Sequence, residues 1–362
     1  MLRLIGALLV LQLASALPQV HYSGSVIAPL RSRGQDQPSI SPEAVTVTLA
    51  SLLSIKAPIT VDPDVSRQVE QLLEPDLFGR PTAVLSIAIA GSNIDLQNSK
   101  AALLVDERRH ENVASQLLAA VASVSVTAAT LLKQVHLDYT SLQGCGSACL
   151  EESLTKALVA TGATYAPGAG ALKGVVSFEG FDLPISSTAG QLWATELATL
   201  YQTAQDVAQD HVRSIQQGSA RTGRVLLECS LVSLQAVEQA VGEDSSQYRA
   251  ATRITMKLVQ IVQQLLLDAY DNKMVTQVAL LGKVPEPFDS VAGLVQWQEA
   301  HRRKLLQSLP ASNSLTNAQW SERATAVTSF LVLLAGAFGG VQCLTHMNFK
   351  RDTLLFGSAK SD

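Results

Sequence analysis

Leu77-Phe78-Gly79-Arg80-Pro81-Thr82-Ala83-Val84-Leu85-Ser86-Ile87-Ala88-Ile89-Ala90-Gly91 is the stretch from which the fold reads. A proline-containing turn leads into branched and small apolar residues, and glycine closes the run. That pattern predicts a buried strand. Ahead of it, Ser41-Pro42-Glu43 is a helix start: Ser41 caps, Pro42 lacks a donor the first turn would waste, and Glu43 suits the positive end of the dipole. Val45, Leu49, Leu52 and Leu53 then follow at helical spacing, Pro58 ends the segment, and a second short helix is expected over 64–73. An earlier strand is expected from Gln19-Val20-His21-Tyr22 and Val26-Ile27.

Downstream, 101–105 predicts a strand and 112–132 a helix followed by a strand at Val124 and Val126. A helix is expected over 148–160 and a glycine-rich loop over 161–174. Val175 to Phe178 and Phe181 to Ile185 form a hairpin around Glu179-Gly180, with Pro184 confining the second strand to an edge. From Ser186 on, Leu192, Leu197 and Leu200 mark one helix, and 224–240, including Cys229, reads as another. At Gly242-Glu243-Asp244-Ser245-Ser246-Gln247 one helix stops and the next begins, with Asp244 and Gln247 resembling a capping box. A last strand is expected over 275–281. The expected fold is an α/β lumenal domain with a helix-rich C-terminal half, plus one C-terminal transmembrane helix.

That last element comes from the run 324–345, which holds no charged side chain and as a helix would reach roughly 33 Å, about a hydrocarbon core. At the other end, Arg3 precedes an apolar stretch and then Ala14-Ser15-Ala16, with Ala14 and Ala16 as the small residues of a signal-peptidase site. Lys350 and Arg351 follow the span, as the positive-inside bias predicts. The organisation expected is therefore signal peptide 1–16, lumenal domain 17–284, stalk 285–323, span 324–345 and cytosolic tail 346–362.

Net charge of −4 and the lack of a basic block argue against nucleic acid as a partner. The histidines His21, His110, His136, His211, His301 and His346 lie far apart, no Gly-x-Ser-x-Gly elbow is present, and Glu151-Glu152 and Glu243-Asp244 read as surface or capping pairs. No catalytic residue, cofactor, metal or small-molecule substrate is expected, and the chain reads as a non-enzyme. Cys145 and Cys149 have no second ligand pair at zinc-site spacing, which leaves a small disulfide loop or two free thiols. Arg302-Arg303-Lys304-Leu305 is a candidate processing site on the stalk or a solvated basic turn.

Three stretches resemble the renin receptor family, also called V-ATPase accessory protein 2. Leu77-Phe78-Gly79-Arg80-Pro81-Thr82-Ala83-Val84 is similar to its Phe-x-Arg-Pro-x-Ala segment. Gly242-Glu243-Asp244-Ser245-Ser246-Gln247-Tyr248-Arg249-Ala250-Ala251 is similar to its Gly-Glu-Asp-Ser-x-Gln-Phe-Arg-x-Ala segment. Asp352-Thr353-Leu354-Leu355-Phe356 resembles its cytosolic tail. The pattern is nearer still to uncharacterised plant single-span proteins, and 103–222 has no counterpart. The resemblance implies a type I membrane accessory subunit of the vacuolar-type proton-translocating ATPase, acting in assembly in the endoplasmic reticulum and endomembrane system (vacuole or lysosome, Golgi, endosome) and at the plasma membrane. Its partners would be the membrane and the pump's membrane sector, with the span inside the proteolipid ring. Gly336, Gly339 and Gly340 would then give the span a close-packing face and Gln342 an amide for a protein partner. Asp352, Leu354, Leu355 and Phe356 would be tail contacts, and the basic cluster falls roughly where the family is cut. The alternative is a cell-surface receptor or co-receptor binding a protein ligand through the lumenal domain.

Overall fold

The computed structural model describes residues 19–24, 39–55, 61–73, 80–92, 94, 101–105, 124, 133–138, 145–170, 172–218 and 224–282. In chain order these form β1 (Gln19–Gly24), β2 (Ser39–Ile40), α1 (Pro42–Leu52), α2 (Pro63–Leu72), β3 (Ala83–Ala90), β4 (Ala101–Val105) and β5 (Lys133–His136). Then come α3 (Ser147–Thr161), β6 (Thr164–Pro167), β7 (Gly174–Phe178), β8 (Phe181–Pro184), α4 (Thr188–Gln216), β9 (Val225–Leu231), α5 (Ser233–Val241), α6 (Ser246–Ala269) and β10 (Met274–Gly282).

The expected buried strand is the spine. All eight residues of β3 are buried, and it lies inside a seven-stranded sheet of order β2-β4-β1-β10-β3-β9-β5. β10, β3, β9 and β5 run parallel, while β1 runs antiparallel to both β10 and β4. Side-chain alternation sends Leu85, Ile87 and Ile89 into one core with Leu227, Leu231, Leu154, Leu197 and Ile254. It sends Val84, Ala88 and Ala90 into the other, with Leu226, Val275, Val45, Leu49 and Val69. The sheet is therefore covered by α3, α4, α5 and α6 on one side and by α1 and α2 on the other. The indole of Trp193 on α4 donates to the Thr255 hydroxyl of α6 at 2.9 Å, so the ring is buried without an orphaned N–H.

A smaller antiparallel sheet, β6-β7-β8, adds Val176, Phe178 and Leu183 to the helical core. Gly190, in the first turn of α4, lies so close to this sheet that a Cβ there would sit 2.7 Å from Ile185 Cα. At the start of β3, Arg80 donates to the Ser51 carbonyl at 2.8 Å, and Arg224 to the Leu53 carbonyl at 2.8 Å. Two guanidiniums thus satisfy carbonyls at the negative end of α1.

The expected transmembrane helix is corrected. Among the described residues no helix is long and apolar enough to cross a membrane, and 324–345 lies outside them. α4 has the length, at 29 residues, but carries Glu196, Asp206, Asp210 and Arg213 and buries one face in the domain core. The fold is a mixed α/β domain.

Three further expectations change. The helix read over 224–240 is strand β9 followed by α5: Val225, Leu226 and Leu227 are all buried, and a run apolar on both faces has no period to separate strand from helix. Cys229 accordingly sits in a strand. The glycine-rich loop contains β6, whose residues are mostly exposed and so show no alternation. Val124, read as strand, is helical, and the cap of α6 is Ser245 rather than Asp244, its hydroxyl accepting from the Tyr248 N–H at 3.0 Å. Val26-Ile27 lies outside the described residues.

Because β3 touches both cores, truncation there should be costly. Ile87→Ala is expected to lower the unfolding free energy by about 2–5 kcal/mol in a urea titration. A loss below about 1 kcal/mol would contradict its place at the centre of the packing.

Candidate functional site

In open α/β sheets ligands bind beyond the carboxyl ends of the parallel strands. Here β3 runs out into Gly91 and Ser92, and β9 into Val232 and Ser233, the latter opening α5. Two carboxylates dominate this edge. Glu238 of α5 accepts the Ser92 N–H at 2.9 Å on one oxygen and the Ser92 hydroxyl at 2.9 Å on the other. Tyr248 of α6 donates to the Ser92 carbonyl at 2.6 Å. Gly91 admits that tyrosine: its φ is +147°, and a Cβ would lie 2.9 Å from the Tyr248 oxygen.

Glu196 of α4 is buried and accepts the Val232 N–H at 3.2 Å, the Ser233 N–H at 3.0 Å and the Ser233 hydroxyl. α5 has no side-chain cap of its own, so Glu196 supplies one from another helix. Burial pushes the Glu196 carboxyl up to about 7 against the three hydrogen bonds that favour its charge. Burial, then the Glu238 charge, raises the Tyr248 phenol; burial, then Glu196 and Asp138, raises the Cys229 thiol. Chemically, Ser92 facing a carboxylate could serve a nucleophile, but its N–H and hydroxyl are both held by Glu238 and its C=O by Tyr248. The arrangement is a clamp that fixes both ends of α5.

A second constellation crosses the sheet itself. The fourth residue of each parallel strand is polar: Ser86 in Ala-Val-Leu-Ser, Glu228 in Val-Leu-Leu-Glu, Gln277 in Met-Val-Thr-Gln and His136 in Lys-Gln-Val-His. Register places them side by side, Gln277 beside Ser86, Ser86 beside Glu228 and Glu228 beside His136, with Tyr22 of β1 beside Gln277. The row faces the α1 side. At its outer end His136 Nδ1 lies 3.2 Å and Gln134 Nε2 3.0 Å from Glu228. At its inner end the Gln277 amide nitrogen and oxygen and the Tyr22 hydroxyl are buried with no hydrogen bond among the described residues. The neighbouring Thr48 hydroxyl tempers the rise that burial gives the Tyr22 phenol, but is itself committed to the Ala44 carbonyl at 2.7 Å.

Of the residues singled out from sequence, Cys145 and Cys149 are described, and they form a disulfide ahead of and within the first turn of α3. Ala14, Ala16, Arg302, Arg303, Lys304, Leu305, Gly336, Gly339, Gly340, Gln342, Asp352, Leu354, Leu355 and Phe356 lie outside the described residues. No group of three or more potential metal ligands occurs among the described residues. Sequence reasoning missed both the clamp and the row. The row had a signal, a polar fourth residue in each parallel strand, but β5 and β9 had first to be recognised as strands.

The family model of Domain of unknown function (DUF7794) matches residues 27–282. The chain belongs to this family. The DUF7794 match ends with the last residue of β10 and takes in the clamp and four members of the polar row, while β1 and its Tyr22 precede it. No curated protein and no solved structure matches.

Two measurements follow from this geometry. The Glu196 pKa is raised on folding, so its contribution to stability is complete below about 4.5 and is lost as pH rises through about 7. Urea titrations of wild type and Glu196→Gln should diverge with pH, the wild type losing about 3 kcal/mol more than the variant between acid and alkaline limits. Parallel curves would remove Glu196 from the account. In the row, Gln277→Met deletes two unpartnered polar atoms at similar volume, and calorimetry should find the variant more stable by about 1–3 kcal/mol. A fall in stability would mean that the amide is satisfied in solution.

Proposed function

We propose that this chain is a non-enzymatic accessory or assembly subunit of the vacuolar-type proton pump, its α/β domain working in the endomembrane lumen and engaging the pump's membrane sector. The observation that carries the reading is the place of the described residues of two stretches of resemblance, 80–84 and 242–251. Arg80 of the one and Tyr248 of the other act at opposite ends of β3. Arg80, of the first, binds the end of α1; Tyr248, of the second, locks α6 onto Ser92. Motif residues that hold helices against a sheet suit a rigid body presented to a partner better than a reaction centre. The polar groups at the carboxyl edge point the same way, because they are spent on the clamp. The Cys145–Cys149 disulfide accords with an oxidising lumen.

The test is affinity purification of the tagged full-length protein from detergent-solubilised membranes, with mass spectrometry of co-purifying subunits and a tagged unrelated lumenal protein as control. Enrichment of the proteolipid ring and neighbouring membrane-sector subunits is expected. A folded, protease-resistant chain that brings down no pump subunit would overturn the proposal.

A further inference from the structure

Among the described helices, α1, α2, α4 and α6 each begin with a side chain that accepts a first-turn N–H, from Ser41, Asp62, Ser187 and Ser245, and α5 is served by Glu196. α3 differs. Its N-cap is Gly146, which offers no side chain, and its first turn carries no acidic residue. The positive end of a 15-residue helix is thus left to what lies in that turn, where among the described residues the Cys149 sulfur stands with the Ser147 hydroxyl. Cys149 is the third helical residue, where a side chain points back toward the cap, and Cys145 immediately precedes Gly146.

The bridge also lies within reach of other molecules. Cys145 and Cys149 are half-buried, and Gly146, Ser147 and Ala148 between them are exposed. With a sequence separation of 4, it links the start of a helix to the residue just ahead of it and joins no two elements of the fold. A loop this short constrains the unfolded chain little, so the bridge is a weak staple.

We propose that Cys145–Cys149 is an exchange site, a disulfide opened and re-formed by a dithiol partner, with Cys149 as the leaving sulfur. One thiolate of the partner attacks Cys145 Sγ. The S–S bond breaks with its electron pair on Cys149 Sγ, where the helix end stabilises the thiolate. The partner's second thiol, after losing its proton, attacks the partner sulfur of the mixed disulfide and expels Cys145, which takes up a proton. Two electrons have passed to the protein, and the partner leaves as a disulfide; the reverse sequence closes the bridge. Cys229 stands apart, buried on β9.

This inference is independent of the pump and is read without any pump subunit. Folded full-length protein is treated with dithiothreitol or reduced glutathione, quenched with iodoacetamide near neutral pH and analysed by peptide mass spectrometry beside circular dichroism. The pair should become alkylated with the spectrum unchanged, and Cys149 should label several-fold faster than Cys145. Cys229 should label only in denaturant. A bridge that opens only as the protein unfolds, or faster labelling of Cys145, overturns the proposal. A Cys145→Ser, Cys149→Ser double variant should fold and melt close to wild type; failure to fold would assign the bridge to stability and also overturn it.

Discussion

The structure depends on one constraint, that β3 is buried on both faces and along both edges. A strand so placed can leave no backbone group unpaired, because water reaches none of them. β10 and β9 therefore flank it in parallel over nearly its whole length. Parallel neighbours need crossovers, and the crossovers supply the helices that cover the two faces. The ends of β3 are where this arrangement meets polar groups. At the first end Arg80 and Arg224 gather the carbonyls of α1; at the last, Glu238 and Tyr248 take up the N–H, hydroxyl and C=O of Ser92.

The two buried glutamates among the described residues, Glu196 and Glu238, both meet backbone donors. Glu196 sits at the amino end of α5 because two amide N–H groups and a hydroxyl point there. Even so, burial outweighs those bonds and raises the carboxyl to about 7. The polar row on the opposite face is less well compensated. Its outer members, Glu228 and His136, pair with each other, while Gln277 and Tyr22 are enclosed by apolar residues of α1 and the sheet. Departures of this kind from local packing rules concentrate at functional or strained positions.

The Cys145–Cys149 bridge is of another kind, since it is half-buried at the margin of the helical core and holds together only the first turn of α3. A rigid frame with a local, accessible disulfide separates what keeps the fold from what can change. Reduction at α3 need not disturb β3, whose contacts lie in the sheet and in the cores on either side.

The amino-acid sequence by itself determined the elements whose signals are local. Ser41-Pro42 starts α1, the Ala83–Ala90 run makes a buried strand, Glu179-Gly180 turns the hairpin, and the 275–281 run makes β10. Each rests on residues adjacent in the chain. Tertiary structure decided the rest. Val225–Leu231 could be helix or strand until β3 and β5 lined up beside it. Ser86, Glu228, Gln277 and His136 are unremarkable one by one and become a row only through parallel register. Glu196 caps α5 across an interval of about forty residues that no periodicity records. Local propensity acts over a few residues, whereas pairing, capping at a distance and burial of both faces arise only when segments far apart in sequence compete for the same core.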